Sequence, residues 1–203
     1  MNKSILLLLL AISVSSCWRS IDYIKNLPEG FTMKRLRDGY NLTFNEAQTW
    51  SRQAHLESVS GKYRLENGEW ILESGHYIFV DENAMEYISL YIDLKEGTLD
   101  VKGPAQVDGK GSIVTTTRFY LESNPLDERY AIRKALDHLP KECQVRELVV
   151  IGRGYFDQSW RVDFMNPNRS LRGALFLPTI FVDAVTDEVS LSPRWNERDW
   201  CRP

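Results

Sequence analysis

The side chains best suited to proton transfer near neutral pH are His55, His76 and His138. None stands at metal-pair spacing from another His, Cys or acid, and each is read as an ordinary surface histidine. His138 is placed near a helix C-terminus, where the dipole favours a cation. Glu69 and Glu73 could serve as acid and base, but such a pair needs a fixed separation and unequal surroundings. Solvated strand faces account for them better. No Gly-x-Ser-x-Gly elbow occurs, and Gly152-Arg153-Gly154 is too short to cradle a phosphate. The sequence therefore assigns no catalytic residue, and it points to no metal or cofactor.

Cys17 is the residue whose surroundings specify a chemistry. Lys3 precedes an apolar run from Ile5 to Ile12, and Val14-Ser15-Ser16 leads into the cysteine. A positive start, a short apolar core and small residues before a cut make a secretory signal. The ten residues from Ile5 to Val14 would reach only about 15 Å as a helix, against roughly 30 Å of hydrocarbon. Val14-Ser15-Ser16-Cys17 resembles the lipobox of bacterial lipoproteins. That resemblance implies a signal peptide over 1–16, a thioether-linked lipid on Cys17 and acylation of the new amino group. It also implies an anchor in the cell envelope through the acyl chains, since two or more chains hold firmly. Trp18, rather than Asp, follows the cysteine, which in this family favours the periplasmic face of the outer membrane.

From Cys17 to Pro203 the chain carries 24 basic and 28 acidic side chains, a net charge of −4. A mildly acidic chain without a basic run argues against nucleic acid as a partner. In an exported protein Cys143 and Cys201 read as a disulfide pair, with two buried or free thiols as the alternative. The bridge would close a 58-residue loop, worth about 4 kcal/mol by chain entropy. Arg153, Tyr155, Trp160 and Trp195 form a candidate binding surface, because Arg, Tyr and Trp dominate binding hot spots. Ordinary sheet packing is the competing account of the same aromatics.

The elements that must position these groups follow from periodicity. Residues 17–40 read as a tether interrupted by Pro28 and Gly30. Thr43 and Glu46 have capping-box spacing, and Phe44, Ala47, Trp50 and Ala54 predict a short helix over 44–56. Asn67-Gly68 predicts a two-residue hairpin that sets Tyr63 opposite Leu72 and Leu65 opposite Trp70. A third strand is expected at 76–81. Ile88, Leu90 and Ile92 alternate with Tyr87, Ser89 and Tyr91, and the chain returns through Leu99 and Val101. Phe119 and Leu121 end another alternating run from Ile113, which completes a meander half over 57–122. Asn124-Pro125 then opens the main helix at 125–139, with strands expected near 145–152, 157–165, 174–185 and 188–192. The reading is one α+β domain over 41–203: antiparallel sheet, one main packed helix, one short N-terminal helix.

Within 126–191, Ala131, Ala135, Trp160-Arg161-Val162 and Val182-Asp183-Ala184-Val185-Thr186-Asp187-Glu188-Val189 resemble a PepSY-type module. The helix-then-strands layout is also similar to the second half of NTF2-like folds, including bacterial immunity proteins. Asp187 stands where PepSY modules have Gly, a substitution that left-handed turn geometry accepts. The resemblance implies a helix on an antiparallel sheet and an association with peptidase binding or inhibition. The sequence thus leads to a lipid-anchored envelope protein that binds a protein or peptide partner, as an inhibitor or immunity protein in its sharpest form. Two alternatives stand beside it: an enzyme acting on cell wall or glycan by carboxylate chemistry, and a structural lipoprotein.

Overall fold

A computed structural model describes residues 21–107, 118–121, 127–139, 145–153, 159–165, 176–183 and 185–191. The chain runs β1 (Tyr23–Asn26), α1 (Leu36–Trp50), β2 (His55–Glu66), β3 (Glu69–Asp81), β4 (Glu86–Asp93), β5 (Thr98–Gln106), α2 (Glu128–Asp137), β6 (Glu147–Arg153), β7 (Trp160–Met165), β8 (Phe176–Val182) and β9 (Val189–Leu191). The strands form one sheet in the order β1-β5-β4-β3-β2-β6-β7-β8-β9, antiparallel at every junction. The fold is therefore mainly β, which overturns the expected α+β class with a main packed helix.

Three local features explain the difference. The hairpin strand does not stop at Ser74-Gly75 but continues to Asp81, with a bulge at Glu73 between the Ser74 and Leu72 pairings. Gly75 sits close to Met33 and Tyr77: a Cβ there would come within 2.7 Å of Met33 Cε and 3.1 Å of Tyr77 Cε2. The main helix is shorter than its sequence pattern: Asp127 caps it, its side chain accepting from Tyr130 N at 2.9 Å. Asn124 and Pro125, the expected cap and first turn, lie outside the described residues.

The N-terminal region departs furthest from expectation. Part of the expected tether is an edge strand: β1 pairs with β5, and Ile21 N donates to Gly103 O at 2.6 Å. Helix α1 starts at Leu36, not 44, and ends at Trp50. Asp38 opens it by accepting from Lys34 N and Arg35 N, both at 2.8 Å. Thr43 is no cap; its hydroxyl donates back to the Gly39 and Tyr40 carbonyls inside the helix. Gly39 disguises the helix in the sequence, yet a Cβ there would collide with the Tyr77 hydroxyl.

Both helices cover the same face of the sheet. α1 packs on β2, β3 and β4, and α2 on β7 and β8. The core between them holds Leu36, Tyr63, Tyr77, Phe79, Ile88, Leu90, Ile92, Ala131, Ile132, Leu148, Trp160, Val162 and Phe164. Glu128, buried at the start of α2, joins the two helices. Its Oε1 accepts from Leu36 N at 2.7 Å and from the Tyr63 hydroxyl at 3.1 Å, while the Tyr77 hydroxyl donates to Leu36 O at 2.5 Å. Burial raises the Glu128 carboxyl above its ordinary range, and neighbouring Asp127 adds to the effect. Tyr23 and Lys25 of β1 both donate to Glu46 of α1, so the edge strand is pinned to the helix. At the far edge Asp187, in the left-handed region at φ 62°, accepts from the Tyr130 hydroxyl and Lys134 of α2.

Candidate functional site

Alternation places the polar residues of the same strands on the sheet's second face. One row runs across it: Ile151, Ser60, His76, Tyr91 and Asp100 are cross-strand neighbours on β6, β2, β3, β4 and β5. Flanking rows contribute Lys62 and Ser74 on one side, and Ser58, Ser89, Lys102 and Arg153 on the other. No helix or strand among the described residues lies over this row. Because the serines are short and their neighbours long, the face is hollowed into a cavity of about 570 Å³. Ser60, Lys62, Ser74, His76, Ser89, Tyr91, Asp100 and Lys102 supply its polar lining.

His76 sits at the centre. Its Nε2 shares a hydrogen bond with Ser89 Oγ at 2.5 Å, and its ring meets the Tyr91 ring edge-on at 6.4 Å. Burial lowers the His76 pKa, and the positive charges of Arg153 and Lys102 lower it further. The imidazole is thus neutral at neutral pH. At the rim Lys62 reaches Glu73 at 3.0 Å and Glu147 at 3.4 Å, contacts that raise its pKa, the Glu73 hydrogen bond most. Lys102 pairs with Asp100 at 3.0 Å, its side chain 66% exposed. Among the described residues no carboxylate pairs with Arg153, and its Nε is buried without a hydrogen-bond partner.

The Ser89–His76 pair raises the question of nucleophilic catalysis. An acyl-transfer site needs free N–H donors for the developing oxyanion. Strand β4 is paired on both edges, with a bulge between Tyr87 and Ser89 on the β5 side. Of the carboxylates, Asp100 lines the cavity and is ion-paired with Lys102. Glu128, the carboxyl raised by burial, lies under the helices on the opposite face. Glu69 is exposed, and Glu73 is engaged by Lys62 and Arg64. Among the described residues no cluster of three His, Cys, Asp or Glu could hold a metal. The cavity offers hydroxyl groups, a neutral imidazole and an aromatic ring, with Lys62, Lys102 and Asp100 as the charged members of its lining.

The residues singled out in the sequence are distributed unevenly. Arg153 is on the cavity face, paired across to Ser58. Trp160 is not on any surface: it is fully buried on the helix face, edge-on to Phe119 at 5.4 Å. It pairs with Gly152, one position from Arg153, and a one-residue step in a strand reverses the face. Cys17, Cys143, Tyr155, Trp195 and Cys201 lie outside the described residues. The sequence passed over Ser60, Ser74, Ser89 and Lys102, and His76, read there as an ordinary surface histidine, instead lines the cavity. Their signal was present as polar positions alternating with core positions, but alternation gives a face and not a neighbour. His138, by contrast, does close α2, its Nδ1 2.8 Å from Lys134 O.

No family model matches the chain, and comparison with curated proteins and with solved structures likewise gives no match.

Proposed function

We propose that the chain is a lipid-anchored envelope lipoprotein whose folded domain binds a protein or peptide partner through the second face of its sheet. The observation that carries the binding reading is the cavity at the centre of that face, donor-rich and edged by Tyr91, which is 39% exposed. The anchor rests on the sequence before Cys17. Among the described residues no helix is long and apolar enough to cross a membrane. Ile21, already bonded to Gly103, lies four residues after Cys17. Lipid on that cysteine would hold the β1 edge within about 14 Å of the bilayer surface. The partner is then one that works close to the membrane.

The test is a photo-crosslinking residue at position 91 in living cells, with a second at position 132 in the core as control. A single envelope protein trapped from position 91 and absent from position 132 supports the reading. No adduct from position 91, with the protein at normal abundance, overturns it. Intact mass of the extracted protein beside a Cys17→Ala variant tests the anchor: acyl chains on a chain starting at Cys17 are expected, and a cleaved, unlipidated product removes that half of the proposal.

A further inference from the structure

Resting on that reading, we propose that the cavity is a carboxylate receptor, with Lys102 in its lining and Arg153 in the flanking row of the same face, that takes an acidic side chain from an acidic segment of the partner. Three observations converge on this. The first is donor chemistry: Ser60, Ser74 and Ser89 present hydroxyls to one space, and hydroxyls turn readily to donate. The second is the charge around the central imidazole. Burial lowers the His76 pKa most, and Arg153 and Lys102 both disfavour its protonation further, so two cations lie within electrostatic reach of the ring.

The third is Arg153 itself. Its guanidinium has no carboxylate partner among the described residues, and its buried Nε lacks an acceptor. A desolvated donor without a partner is costly. Among the described residues Lys62, Lys102, Arg64 and Arg161 have carboxylates in reach, whereas Arg153 has none and can receive one from outside. A guanidinium fork and a carboxylate match in planar, bidentate geometry. The Ser89 hydroxyl completes the receptor by donating toward the ligand when His76 donates to Ser89 Oγ through Nε2–H.

The probe is a fluorescein-labelled pentaglutamate peptide with blocked termini, read by anisotropy against the full chain in detergent. The control is its pentaglutamine counterpart. Saturable binding of pentaglutamate alone, weakened about ten-fold by Arg153→Gln, is expected. Lys102→Gln, at a largely exposed position, weakens binding less and guards against misfolding of the first variant. Imidazole NMR of His76 supplies a second readout: both substitutions remove positive field and raise its pKa, and bound pentaglutamate does the same in the unchanged chain. Equal binding of pentaglutamine, or binding indifferent to both substitutions, overturns the receptor. Acetate reproducing the full His76 shift at the same concentration overturns the peptide assignment. Failure of pentaglutamate with a surviving position-91 crosslink rejects the carboxylate receptor and leaves the proposed function standing.

Discussion

The two faces of the sheet are made by the same strands, often by adjacent residues, and they obey different rules. On the helix face Tyr63, Tyr77, Phe79 and Trp160 are fully buried and close-packed against α1 and α2. On the second face Ser60, His76 and Ser89 leave space unfilled, and charged residues with long stems stand round it. Packing density makes the first face intolerant of a single methyl group. The second leaves its side chains room to meet something else. The contrast teaches that alternate positions of one set of strands divide a close-packed core from an open polar cavity.

The sharpest way to break that comparison is Trp160→Ala, which removes a fully buried indole. A loss of about 3–5 kcal/mol in urea unfolding is expected. A loss below about 1 kcal/mol would mean that the helix face is not packed as described. Gly39→Ala comes next. Alanine is worth up to about 1 kcal/mol in helix propensity. The new Cβ, however, would collide with the Tyr77 hydroxyl and lie 2.9 Å from Ile92 Cδ1. The net result is a destabilisation of about 1–3 kcal/mol.

Glu128→Gln sharpens the comparison through pH. The folded carboxyl titrates above its ordinary value of 4.5, so the folded state holds its proton more tightly than the unfolded state. The contribution of this one group favours the native chain most below that value and is lost as pH rises through the raised one. The glutamine variant has no such slope, which urea midpoints from pH 4 upward would show. Smallest of all is Lys102→Gln on the second face, an exposed pair with Asp100. Its effect on unfolding should stay within about 0.5 kcal/mol, even while it weakens anion binding.

Much of this architecture was legible where contacts are local. Asn67 and Gly68 adopt φ of 50° and 84°, and the hairpin closes with Tyr63 opposite Leu72 and Leu65 opposite Trp70, as two-residue turn chemistry requires. The alternation of Ile88, Leu90 and Ile92 correctly marked the buried side of β4. The early start of α1 and the unbroken run of β3 were not legible, because the glycines within them, Gly39 and Gly75, are explained only by close neighbours, Tyr77 and Met33. Glu128 was invisible as a core residue because its partners, Leu36 and Tyr63, are 92 and 65 positions away. For the same reason Arg153 and Trp160 were grouped together, although the register of β6 with β7 sends them to opposite faces.

The placement of β2 has a consequence for how the molecule assembles. One edge of β2 is satisfied by β3, which follows it at once through the Asn67-Gly68 turn. The other edge waits for β6, with Gly61 paired to Val150, 89 positions later. Pairings of that span are slow to form, since loop closure precedes any reward. Until β6 arrives, β2 presents a long unpaired backbone edge of the kind that recruits other chains. A fragment ending before Glu147 should therefore aggregate rather than fold, and refolding of the whole chain should become concentration-dependent in the interval before β6 docks.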